Sequence, residues 1–177
     1  MASYLIYLAI IILIPIYAQI KVKSTYNRYT KVASSSRMTG AEVARKILDD
    51  NGLYNVHVEE TRGYLSDHYD PRSKVVRLSS ENYHGHSLSA TAVSAHEVGH
   101  AIQDQQDYAF LRLRHSLVPV ANIGSNLSWI LILIGFIAGA SQFVLFGIIC
   151  MLAAVLFQVV TLPVEFNAST RAMDQVV

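Results

Sequence analysis

Two long apolar runs bracket one polar, patterned stretch in this chain. From Tyr4 to Gln19 no residue is charged, and from Ser116 to Val164 there is no Asp, Glu, Lys, Arg or His. A spanning helix needs roughly 20 apolar residues, so the second run is long enough for two spans and a tight turn. Gly139, Ser141 and Gln142 interrupt it, which places the turn within residues 135–142 and predicts spans over 117–138 and 143–163. The first run, residues 4–20, has no basic region ahead of it and no small-x-small cleavage site before Lys21. It reads as an uncleaved anchor rather than a signal peptide. Pro15 is a kink site that a spanning helix tolerates better than a soluble one.

The polar stretch, residues 21–115, carries the shorter periodicities. Thr39-Gly40-Ala41-Glu42 is a capping-box pattern, and Val43, Ile47 and Leu48 form an apolar stripe that Asn51-Gly52 ends. A strand is expected at 55–59, then a loop running through Gly63 and Asp67 to Asp70-Pro71, and a second strand at 74–78. A helix follows over 87–106, with Ser87 as its N-cap. The order is helix, strand, loop, strand, helix: a small α+β unit whose last strand is expected to lie along any cleft beside the final helix.

Charge adds an orientation. All fourteen Lys and Arg fall on one side of the three spans, since every one but Arg171 lies between Lys21 and Arg114. The positive-inside rule then puts residues 21–115 in the cytoplasm and the N-terminus outside. A formal net charge of +1 gives no reason to expect nucleic acid. The cluster Lys21, Lys23, Arg28 and Lys31 is a topology signal and a contact for lipid headgroups. The sole cysteine, Cys150, lies in a span, so no internal disulfide forms.

Within the last helix of the polar stretch stands His96-Glu97-Val98-Gly99-His100. Its histidines are four apart, on one helix face, with Glu97 beside them. Two neutral imidazoles so placed can hold one zinc ion while the carboxylate takes a proton from a water. A chain with seven histidines also offers accidental matches, and a histidine-bearing helix face is more often merely solvated. Here the motif sits on a helix, the flanks Ala92-Val93-Ser94-Ala95 and Ala101-Ile102 suit close packing behind it, and Val98 and Gly99 are expected to leave room for metal and substrate. A catalytic zinc site normally has three protein ligands. Candidates for the third are His57, His68, His84, His86, His115, Asp104, Asp107 and Glu165. Glu165 stands out as the first charge after the apolar run, returned to the histidines' side by two crossings and set in a helical pattern. Its bland alternative is a charge marking the end of a span.

Three segments, His96 to Gln103, Leu162-Pro163-Val164-Glu165-Phe166-Asn167-Ala168-Ser169 and Leu65-Ser66-Asp67-His68-Tyr69-Asp70-Pro71, resemble in order the bacterial membrane-bound neutral zinc metallopeptidase family. That family is similar in turn to the gluzincins that include HtpX and the CAAX prenyl protease. The resemblance implies that His96, His100 and Glu165 are zinc ligands and that Glu97 is the general base. Two departures qualify it. HtpX-like proteases carry an acidic residue four positions after the ligand glutamate, where this chain has Ser169, so support for that carboxylate is expected from Asn167. Relatives also continue with another apolar segment, whereas this chain stops at Val177 in a helical pattern; it is expected to be naturally short or truncated, or completed by a partner.

The expectation is a membrane α-helical protein with a small α+β zincin-like domain whose active-site helix carries the motif. Its parts are a transmembrane anchor (1–20), a cytoplasmic catalytic segment (21–115), a transmembrane hairpin (116–164) and a helix bearing the third ligand (165–177). The expected activity is zinc-dependent hydrolysis of peptide bonds in protein substrates at the cytoplasmic membrane face. An extended substrate would pair with the strand at 74–78, and His68, Tyr69, Tyr83 and Arg171 are candidates for the oxyanion contact. The alternative is a membrane scaffold or chaperone subunit with a structural zinc, which a fourth ligand such as His84 or His86 would have to close. Structural sites favour cysteine, and none is available. A transporter needs ionisable groups within its spans, and these have none. Oligomeric state is left open.

Overall fold

The computed structural model describes residues 2–176, with side chains from residue 9 onward; Met1 and Val177, the outer limits of the expected anchor and last helix, lie outside the described residues. The chain forms two compact units, Met1–Glu97 and Val98–Val177.

In the first unit, α1 (Ala2–Tyr29) is one helix that continues through Pro15 and well past the end of the apolar run. Helix α2 (Gly40–Asp50) begins at the expected capping box: Thr39 Oγ1 accepts from the Glu42 N–H at 3.1 Å, and Glu42 accepts from the Thr39 N–H at 2.8 Å. It ends where Gly52 takes a positive φ of 72°, a conformation open to glycine at little steric cost. Arg45 on α2 donates to the carbonyls of Val56 and Leu53, tying the helix to the approach of the first strand.

Three strands form the sheet: β1 (His57–Thr61), β2 (His68–Asp70) and β3 (Val75–Ser79), in the order β1-β3-β2. β1 runs parallel to β3 and β2 antiparallel to it, with Val58 opposite Val76 and Tyr69 also opposite Val76. Two sequence expectations change here. The stretch expected to be a loop up to Asp70 contains a strand, and the strand expected to take a substrate is the central one. Both edges of β3 are occupied by neighbouring strands, so no substrate chain can add to it; pairing of that kind would need β1 or β2. Central placement also explains why four of its five residues are buried. Val75, Val76 and Leu78, with Val43, Ala44, Ile47 and Leu48 of α2, form the core. The Asp70 carboxyl is held well below the usual carboxylate range by Ser73 Oγ at 2.6 Å and the Arg72 N–H at 3.0 Å, with Arg77 adding a donor at 3.2 Å. A short helix, α3 (Ser80–His84), follows directly and had no counterpart in the sequence reading.

Helix α4 (Leu88–Gln105) starts where expected: Ser87 Oγ accepts from the Ala90 N–H at 3.1 Å. It runs unbroken across the division between the units.

The second unit is dominated by α5 (Ala109–Ile137) and α6 (Ser141–Val176), joined by a turn in which Gly139 has a φ of 63°. Neither helix breaks at 115/116 or 164/165, so α6 carries the apolar run and Glu165 on one rod. Three glycines let the two helices approach closely. A Cβ on Gly124 would lie 2.9 Å from the Cys150 carbonyl oxygen, one on Gly135 2.7 Å from the Val144 nitrogen, and one on Gly147 2.9 Å from the Ser128 carbonyl oxygen. Among the described residues, α1 from Ala9, α5 and α6 are long and apolar enough to cross a membrane.

Candidate metal centre

The capped, uninterrupted α4 sets His96 and His100 one turn apart on a common face. His100 is buried, and His96 and Glu97 are half-buried. Beside the motif lies a cavity of about 320 Å³ lined by Leu65, Asp67, Ala92, Val93, His96 and Glu97. Its loop is held by Asp67, whose carboxylate accepts from the Ser79 N–H at 2.7 Å, Ser79 Oγ at 3.1 Å and Asn82 Nδ2 at 2.9 Å. Asp67 is therefore an anchor for the 65–71 segment. A larger surface groove beside α2 and β1 contains no residue of the histidine motif.

On α6, Glu165 directs its two oxygens to different partners. Oε2 lies 3.5 Å from His100 Nε2, and Oε1 lies 3.8 Å from Arg114 Nη2. One ligand atom from each of His96, His100 and Glu165 lies within 4.8 Å of the other two. Zinc holds nitrogen and oxygen ligands at about 2.0–2.2 Å in a tetrahedron, which sets neighbouring ligand atoms roughly 3.3–3.6 Å apart. The 3.5 Å between His100 and Glu165 meets that spacing, and two imidazoles with one carboxylate is a donor set suited to zinc. The donor types and this spacing suit the ion.

This approach of α6 depends on Gly99. A Cβ there would lie 2.6 Å from the backbone oxygen of Ala168, which is one turn beyond Glu165. The small residues of the motif thus serve packing, and the expectation that Val98 and Gly99 leave room for metal and substrate is overturned: Val98 is fully buried and Gly99 faces α6.

A family described as "putative neutral zinc metallopeptidase" matches residues 4–177. The chain belongs to this family. It is also 54% identical over 161 residues to a protein of Bacillus subtilis (strain 168) named "Putative membrane protease YugP", a match covering 91% of this chain and 72% of that relative. No solved structure matches. The membership implies zinc, and the His96, His100 and Glu165 group is the candidate site for it among the described residues.

The other candidates lie elsewhere. His57 is exposed on β1; His68 Nδ1 is 2.8 Å from the Ser66 carbonyl oxygen; His84 Nε2 is 3.3 Å from Glu60 Oε2; His86 Nδ1 is 2.9 Å from the Arg37 carbonyl oxygen. His115 is exposed near the start of α5, Asp104 is half-buried on α4, and Asp107 pairs with Arg112. None of these seven residues belongs to the ligand group found among the described residues. Of the oxyanion candidates, Tyr83 lines the α2 groove, and Arg171 donates to Asn167 and Gln106 at 2.7 Å each. His68 and Tyr69 lie on β2. Asn167 turns its oxygen to Gln103 and Arg171. The sequence reading missed Arg114, whose Nη2 lies beside Glu165 and whose Nε is buried without a hydrogen-bond partner.

Proposed function

We propose that this protein is a multi-pass membrane zinc metalloendopeptidase that hydrolyses peptide bonds of protein substrates at the cytoplasmic membrane face. His96, His100 and Glu165 hold the ion and Glu97 is the general base. The observation that carries this reading is the grouping of those three ligand atoms, two from one helix turn and one from a helix distant in sequence. Family membership and the three apolar helices support it. In this reading the active-site helix, sheet and α6 make a zincin-like arrangement, kin to the gluzincins.

Zinc, when bound, supplies a Lewis acid that polarises a carbonyl and acidifies a water. The protein's own part begins with Glu97, which borders the cavity beside His96 and takes one proton from the attacking water. As the carbon–nitrogen bond breaks, the same carboxyl returns that proton to the departing amine. Leu65, Ala92 and Val93 line the cavity with apolar surface beside Glu97.

The test is metal content and hydrolysis together. Detergent-solubilised protein is expected to hold one zinc and cleave an unstructured casein-like substrate, and the His96→Ala, His100→Ala double variant to lose both. Stoichiometric zinc retained in that variant would overturn the ligand assignment, and a wild type that binds zinc without cleaving any peptide would favour the scaffold.

A further inference from the structure

Gln103 is fully buried, and both ends of its amide are engaged. Which end is oxygen follows from partners that have no choice of role. The Val164 carbonyl can only accept, and it lies 2.8 Å from Gln103 Nε2. Arg171 Nε can only donate, and it lies 2.7 Å from Asn167 Oδ1, which therefore accepts and also lies 2.9 Å from Gln103 Nε2. Two independent constraints place the amide nitrogen toward α6. Oε1 then faces His100 Nδ1 at 3.0 Å and must accept, so Nδ1 carries a hydrogen. The nitrogen whose lone pair is left for a metal is Nε2, the one turned to Glu165 Oε2 at 3.5 Å.

We infer that Gln103 is the positioning residue of the metal centre. Through Oε1 it fixes the tautomer and ring plane of His100, and through Nε2 it holds the turn of α6 that carries Glu165 against α4. Carboxylates and backbone carbonyls commonly orient ligand histidines; here a neutral amide serves, and it reaches the second ligand-bearing helix as well. Asn167 and Arg171 complete the arrangement by holding that amide in one orientation. The inference rests on the reading of His100 and Glu165 as zinc ligands.

Three full-length variants, Gln103→Leu, Gln103→Met and Gln103→Glu, separate positioning from packing. Zinc affinity is read by chelator competition in detergent, and thermal unfolding of the chelated protein is read in parallel. Loss of the ligand-orienting group is expected to weaken zinc binding about 10- to 100-fold in the leucine and methionine variants, methionine covering the case in which leucine is not accommodated. Gln103→Glu keeps an acceptor for Nδ1 but loses the donations to α6, so its affinity is expected to fall less than that of the leucine variant while its unfolding temperature falls. Lower unfolding temperatures with wild-type zinc affinity in both apolar variants would overturn the inference, because packing alone would explain Gln103. A glutamate variant as weak in zinc binding as the leucine variant would overturn the role of Oε1. A wild-type protein that binds no zinc would refute the metal-centre reading itself, which the variants do not test.

Discussion

Glu97 and Glu165 are both half-buried carboxylates, yet the chemistry proposed for them differs by what stands beside each. Glu165 has His100 on one oxygen and Arg114 near the other, an arrangement that suits a fixed ligand. Glu97 borders the cavity, where a group that exchanges a proton has access to a water. The substitution Glu97→Gln keeps the shape and removes the basicity, so zinc is expected to remain bound while peptide cleavage falls by roughly 10²- to 10⁴-fold. Unchanged hydrolysis would place the base elsewhere, and loss of zinc would make Glu97 a ligand. The shared helix face of the two histidines was legible because four-residue spacing on a helix is a local property of sequence. Glu165 was legible as the first charge beyond a long apolar run. Gln103 and Arg114 were not, because a polar residue in a helix carries no mark of the partner it meets from a distant segment.

Helix α4 shows how an element is tuned to meet another. Gly99 costs the helix about 0.8–1.0 kcal/mol of propensity relative to alanine. Against that stands a contact of 2.6 Å between an added Cβ and the Ala168 backbone oxygen, which α6 can relieve only by moving the turn next to Glu165. Overpacking of this kind costs about 1–3 kcal/mol, so the steric term should win. Gly99→Ala is therefore expected to lower the unfolding temperature and weaken zinc binding, read by thermal unfolding with and without chelator. A stabilised variant would mean that the two helices have room to spare. Local signals located several elements well: the Thr39–Glu42 capping box and the Ser87 cap are satisfied within four residues of where they are written. β2 escaped notice because His68-Tyr69-Asp70 has no apolar alternation and depends on pairing with β3. The central place of β3 escaped for a related reason, since strand order is decided by non-local pairing.

At the scale of the molecule, the charges beyond the first apolar run form a belt with aromatic partners. Lys21 lies 5.9 Å from the Tyr17 ring, Lys23 5.7 Å from Tyr64 and Arg28 5.7 Å from Tyr29. Amphipathic rings and long cations of this kind belong at a headgroup layer. The hairpin turn near Gly139 and residues 1–20 carry no Lys or Arg, so the asymmetry predicts that the turn faces outward and the sheet faces the cytoplasm. Replacing Cys150, the sole cysteine, with alanine gives a background for single reporters. Arg62→Cys and Gln142→Cys are suitable positions, since both side chains are exposed and neither contributes to the proposed site. A membrane-impermeant thiol reagent applied to intact cells is expected to label Gln142→Cys and to reach Arg62→Cys only after permeabilisation. The reverse pattern would put the catalytic segment outside, and labelling of both in intact cells would mean that the hairpin does not cross the bilayer.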